Sequence, residues 1–184
     1  MTTTDHSTTG TTSERVDRER ADLLDSLARH RLFLRFTVRD LSDEQALLRP
    51  TASALSLAGL IKHVAATEAT WAEFAVRGAD AFPTVDWSSP EAAENWTREW
   101  RLEPGESLAS VLEHYEQVAA RTEDVVRTLP SLDDEHPLPQ APWFQPGAAW
   151  SVRRAFLHIV AETAQHAGHA DIIRETIDGQ KTMG

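Results

Sequence analysis

The sequence contains no cysteine and has no apolar run long enough to cross a membrane. Without cysteine the chain can form no disulfide, no Cys-ligated zinc or iron–sulfur site and no thiolate nucleophile of its own. Any thiol chemistry would need a sulfur from another molecule. A membrane-spanning helix needs about 20 apolar residues, and the Thr-rich start lacks the basic and then apolar segments of a signal peptide. We therefore expect a cytoplasmic protein with no membrane contact.

Positive charge is also scarce. The 18 Lys+Arg residues stand against 29 Asp+Glu residues, which gives a net charge of −11. This charge repels a phosphate backbone, so we expect no nucleic-acid partner. Apart from Lys62 and Lys181, the basic residues are all arginine, which is typical of a GC-rich genome such as an actinobacterial one. A length of 184 residues fits a single domain with its own hydrophobic core.

The chain divides into a polar start and a helical remainder. Residues 1–13 are rich in Thr, Ser and Gly and have no apolar periodicity, which predicts a disordered tail. Residues 14–184 are predicted to form one domain. Within it, four segments repeat apolar residues at steps of three and four, as amphipathic helices do. These predicted helices cover residues 14–41, 56–77, 107–129 and 151–177.

Local signals predict where several helices begin and end. Ser56 is the expected N-cap of the second long helix and Gly78 its stop. Ser42 and Gln45 match a capping box for a short helix, and Pro90 suits the first turn of another. No segment alternates with period two for long enough to predict a sheet. The predicted fold class is all-α, an up-and-down four-helix bundle whose long connectors carry short helices.

The inward stripe of the last long helix changes from apolar to ionisable in its middle. Glu162 and His166 are four residues apart there, so they lie on one helix face about one turn apart. His63 interrupts the inward stripe of the second helix in the same way. An ionisable group in the middle of a bundle costs several kcal/mol unless it is paired or ligates a metal. These three residues are candidate ligands of one divalent ion, and their donor set suits zinc, nickel, iron or manganese.

Other interpretations of these positions stay open. Glu162 and His166 could form a simple helix-stabilising pair of about 0.2–0.5 kcal/mol, or Glu162 could pair with either histidine without any metal. His158 is predicted to be a boundary residue near the helix start and not a ligand. Four tryptophans on or beside the connectors could line a pocket mouth or a dimer face, or pack under the loops: Trp96, Trp100, Trp143 and Trp150.

The run His-Ala-Gly-His-Ala-Asp at residues 166–171, together with residues 41–45 and 57–71, strongly resembles the DinB/YfiT-like superfamily. The resemblance is greatest to its actinobacterial mycothiol S-transferase-like branch and extends over about residues 15–180. It implies a four-helix bundle in which His63, Glu162 and His166 hold a divalent metal. It also implies that His169 supports a ligand or faces the substrate. Glu68, which follows His63 on its helix, could support the site or be solvated.

The function that this resemblance implies is metal-assisted thiol transfer. A low-molecular-weight thiol would coordinate the metal, stay a thiolate at neutral pH and attack a small-molecule electrophile. The arginine bias favours mycothiol over bacillithiol, because mycothiol belongs to actinobacteria. Zinc is the first candidate metal, and a homodimer and a detoxification role are further expectations. The alternatives are a metal-dependent isomerase or hydrolase that uses no thiol, and a non-enzymatic metal-binding stress-response protein.

Overall fold

Four long helices make up most of the part of the chain that the structure describes, and they confirm the all-α fold class. The computed structural model describes residues 8–182, apart from the side chains of residues 8–17, 93 and 96. The helices are α1 (Thr8–Phe36), α2 (Asp43–Ala46), α3 (Leu57–Arg77), α4 (Pro90–Arg98), α5 (Leu108–Thr128) and α6 (Val152–Asp178), with a 3₁₀ turn at Gly78–Ala81. None of these helices is long and apolar enough to cross a membrane within the part of the chain that is described.

Capping residues begin and end α3 and α6 where the sequence predicts. The hydroxyl of Ser56 accepts a hydrogen bond from the Gly59 amide at the start of α3, and Gly78 ends that helix with a φ of 63°. Ser151 caps the start of α6, and Gly179 ends it in the left-handed conformation. Each N-cap of this kind contributes about 1 kcal/mol. The caps therefore set the length of the two helices that carry the candidate ligands.

Helix α1 differs from its prediction at both ends. It begins at Thr8, so residues 8–13, which we expected in the tail, lie within the helix, and it ends at Phe36 instead of near Leu41. Extending a helix that has already nucleated adds one hydrogen bond for each residue, which lets even a Thr-rich segment continue it. Residues 1–7, the rest of the expected tail, lie outside the described residues.

Ion pairs and core contacts show the direction of each helix. Near its start, α6 pairs Arg153 with Glu19 of α1, and near its end Arg174 donates to the carbonyl oxygens of Thr37 and Arg39. Helices α1 and α6 are therefore parallel. The first turns of α3 and α5 share one core cluster, so these two helices are also parallel. The four long helices therefore run up–down–down–up in chain order, and the predicted up-and-down topology is wrong. The prediction failed because apolar periodicity carries no information about the direction of a helix.

The connector between α3 and α5 makes this topology possible. Residues 78–107 return the chain along the bundle and carry α4 on the way, as long crossover connections do in other helical bundles. The connector between α5 and α6 holds two short strands, β1 (Glu135–Pro137) and β2 (Ala149–Ser151), which pair antiparallel with Glu135 opposite Ser151. No sheet was predicted there, because three-residue strands are too short to show an alternating pattern.

The buried core consists of two clusters at opposite ends of the bundle. The first cluster contains residues from the end of α1 and from the starts of α3 and α5. The second cluster contains Phe74, Phe156 and Trp71. Helix α6 contributes Ile159 to the second cluster and Ala167 to the first. The segment of α6 between these two residues lies where the clusters meet, and it contains Glu162 and His166.

Candidate metal centre

The structure brings the three candidate ligands together in the middle of the bundle. His63 projects from α3, and Glu162 and His166 project from α6. One potential ligand atom from each residue lies within 4.8 Å of the other two. Two ligand atoms at about 2.1 Å from one tetrahedral ion lie about 3.4 Å apart. Small side-chain rotations would therefore let all three groups bind one ion.

The His63 imidazole is buried, neutral and short of partners. The residue is 7 % exposed, and its Nδ1 atom has no hydrogen-bond partner among the described residues. Burial, together with repulsion from His166, lowers the pKa of His63 from 6.5 to about 4. At neutral pH the ring therefore carries no charge and keeps a lone pair, as a metal ligand must.

Glu162 supplies the negative charge of the cluster. Its Oε2 atom lies 3.5 Å from Nε2 of His166, one helical turn away. Hydrogen bonding from His166, helped by the charge of His158, keeps the pKa of the Glu162 carboxyl below its ordinary value although the group is half-buried. A carboxylate between two imidazoles is a donor set that suits a divalent ion such as Zn²⁺. The residues present therefore fit the metal that the sequence suggested.

Comparison with known proteins agrees with this architecture. A sequence profile of the family described as mycothiol-S-transferase matches residues 22–179. This chain belongs to that family. The match includes the second half of α1, all of α3, α5 and α6 and each of the candidate ligands, so the mycothiol-S-transferase family accounts for most of the described structure. No curated protein is significantly similar to the chain.

A solved structure shows the same fold. The crystal structure of a conserved protein from Enterococcus faecalis superimposes with a TM-score of 0.58 at 14 % sequence identity. The alignment covers 86 % of this chain and 96 % of that protein. At this identity the likeness concerns the fold alone, and the same helical fold extends over almost the full length of that protein.

The two residues expected to support the site lie in different places. In this member of the mycothiol-S-transferase family, Nδ1 of His169 lies 3.4 Å from Nδ1 of His166, beside a candidate ligand. Glu68 is directed to Arg31 instead, with Oε2 and Oε1 at 3.1 and 2.5 Å from the guanidinium nitrogens. Of the two, only His169 contacts a candidate ligand, and Glu68 forms a buried ion pair between α1 and α3.

His158 lies closer to the site than its predicted boundary position suggests. Its Nε2 atom is 3.6 Å from Oε1 of Glu162. Its ring packs edge-on against Trp71 and Trp150, with centroids 4.7 and 5.2 Å away. Burial lowers the pKa of His158 below its ordinary value. The spacing of four residues to Glu162 was the available sequence signal for this contact.

The connector after α4 contributes two residues that the sequence did not connect with the site. The Trp100 ring stacks on the His63 ring with centroids 3.6 Å apart. The preceding residue, Glu99, places Oε2 at 3.9 Å from Nδ1 of His63. Of the other tryptophans considered, Trp143 is 56 % exposed, and Trp150 stacks on Trp71. The side chain of Trp96 lies outside the described residues.

Proposed function

We propose that this protein is a metal-dependent S-transferase that joins a low-molecular-weight thiol, mycothiol in the first instance, to an electrophilic small molecule. His63, Glu162 and His166 would hold the ion, and Zn²⁺ is the first candidate. The observation that carries the proposal is the convergence of two imidazoles and a carboxylate within 4.8 Å in a chain of the mycothiol-S-transferase family.

The residues around the site suit this chemistry. A divalent ion bound there would lower the pKa of a coordinated thiol, so that the sulfur stays a thiolate at neutral pH. His63 offers a neutral ring at that pH, and Trp100 covers one face of this ring against water. The chain has no cysteine, so the reacting sulfur would belong to the cosubstrate.

The transfer itself is a displacement. The thiolate sulfur forms a bond to an electrophilic carbon, the leaving group departs with the bonding electrons, and the thiol proton passes to solvent. A cytoplasmic location, a homodimer and a detoxification role belong to this proposal as predictions. The net charge of −11 gives no reason to expect a nucleic-acid partner.

A thiol-dependent assay tests the proposal. Zn²⁺-loaded protein is mixed with monochlorobimane, whose chloride is displaced by thiols, in the presence of mycothiol, of bacillithiol or of no thiol. We expect saturable conjugate formation with mycothiol, a lower rate with bacillithiol, and only the background rate for the His166→Ala variant.

Two results would contradict the proposal. Turnover of candidate electrophiles that is equally fast without any thiol would favour the isomerase or hydrolase alternative. A Zn²⁺-loaded protein that never exceeds the uncatalysed rate, with any thiol or electrophile, would favour a non-enzymatic metal-binding protein.

A further inference from the structure

His63 has one ring nitrogen whose bonding is incomplete. Its Nδ1 atom is buried and has no hydrogen-bond partner among the described residues. Burying a polar atom without a partner is unfavourable, so this nitrogen calls for a partner that it gains in another state of the site. The Glu99 carboxylate lies 3.9 Å away. This distance is too long for a hydrogen bond, but a movement of about 1 Å would make one.

The backbone of the Glu99 segment is held firmly against α3. The carbonyl oxygen of Trp100 lies so close to Gly59 that a Cβ atom there would be 2.2 Å from it. Lys62 donates to the carbonyl oxygen of Arg101 at 3.0 Å. The Trp100 ring stacks on His63 itself. The backbone of Glu99 is thus fixed beside His63 by its neighbours in the chain, and the Glu99 side chain is half-exposed.

We propose that Glu99 is a positioning residue for His63. Its carboxylate would accept a hydrogen bond from Nδ1–H and thereby direct Nε2 of His63 to the metal. Histidines that ligate metals usually donate their second N–H to a carboxylate, a carbonyl or water, and this bond sets the tautomer and the ring orientation. The inference rests on the proposed metal centre. It adds a residue from the connector to a centre otherwise built from α3 and α6.

Metal affinity measured on matched variants tests this role. Glu99→Ala removes the acceptor, Glu99→Gln keeps an amide oxygen that can accept the hydrogen bond, and Glu94→Ala removes an exposed carboxylate from α4 as a control. We expect competition with a chromogenic chelator to show Zn²⁺ binding weakened about 10- to 100-fold in Glu99→Ala. Binding should be partly restored in Glu99→Gln and unchanged in Glu94→Ala.

Nitrogen-15 NMR of the histidine rings adds a readout that a loss of stability would not change. With Zn²⁺ bound, the His63 signals, assigned from their absence in His63→Ala, should show a protonated Nδ1 and a metal-bound Nε2. Thermal unfolding of the metal-free variants checks that all of them fold. Equal Zn²⁺ affinity in Glu99→Ala and wild type, or metal bound at Nδ1, would overturn the inference alone. Wild-type protein that binds no Zn²⁺ would overturn the proposed centre as well.

Discussion

Two buried polar clusters lie less than two turns apart on α3, and they are completed to different degrees. In the ion-pair cluster, Arg31 donates to Glu68 at 2.5 and 3.1 Å and to Glu123 at 3.2 Å. A guanidinium there faces carboxylates, so every charge has an opposite partner. In the metal cluster of His63, Glu162 and His166, the ion pairs of the Glu162 carboxylate among the described residues are with histidines and not with Lys or Arg.

This difference is what we expect between a structural cluster and a cluster that binds a metal ion. A buried ion pair with good geometry holds helices in register, although its net contribution to stability is often small. The two imidazoles and the carboxylate of the metal cluster include no Lys or Arg, and a divalent ion would supply the positive charge that the carboxylate lacks. Burial alone therefore does not distinguish the two clusters. What distinguishes them is whether the chain supplies its own positive charge.

The largest expected effect is loss of metal from the second cluster. His166→Ala and His63→Ala should each abolish bound divalent metal, because two remaining ligands hold an ion poorly. His158→Ala, which changes a histidine outside the ligand set, should leave the metal in place. Elemental analysis of the purified variants measures this. Full metal occupancy in His166→Ala would rule out its assignment as a ligand.

A large effect on stability is expected from the ion-pair cluster. Glu68→Ala should lower the free energy of unfolding by about 3 kcal/mol, because it leaves a buried guanidinium with only Glu123 to compensate it. The metal should stay bound. Urea denaturation, with metal content as a second readout, measures both. The control Glu73→Ala breaks an exposed pair with Arg77 on the same helix and should cost less than about 1 kcal/mol. An equal decrease in the free energy of unfolding in the two variants would contradict the expected difference between buried and exposed ion pairs.

A smaller effect is expected from acidification of the metal-free protein. The pKa of His63 is lowered from 6.5 to about 4 in the folded chain, so between these values the unfolded chain binds a proton that the folded chain does not. The contribution of His63 to the free energy of unfolding is therefore fully present above pH 6.5 and is lost as the pH falls towards 4. Between pH 7 and pH 5 the unfolding free energy should fall by about 2 kcal/mol more than in His63→Gln. Parallel pH profiles for the two proteins would show that His63 is not the titrating group.

The sequence predicts the helices and the candidate ligands because both depend on local patterns. Ser56 and Gly78 end α3 as their capping chemistry requires. Glu162 and His166 attract attention because they interrupt an otherwise apolar stripe, and His63 does so on another helix. Each of these signals is contained within one helix, where spacing translates directly into geometry.

The rest depends on how distant segments pack, which spacing within one helix does not encode. Nothing in the connector indicates that Trp100 stacks on His63, or that Glu99 faces its ring nitrogen. The sequence places Glu68 near Trp71 on α3, but it does not show that Arg31 of α1 is the ion-pair partner of Glu68. The parallel arrangement of α3 and α5 likewise follows from tertiary contacts.

The central claim is that one divalent ion binds where α3 and α6 meet. The most direct test is elemental analysis of wild-type protein purified without an affinity tag, before and after loading with one equivalent of Zn²⁺ and gel filtration. We expect about one divalent ion per chain to stay with the loaded protein. If the loaded wild-type protein kept no metal, the account of the site would be contradicted and the all-helical fold alone would stand.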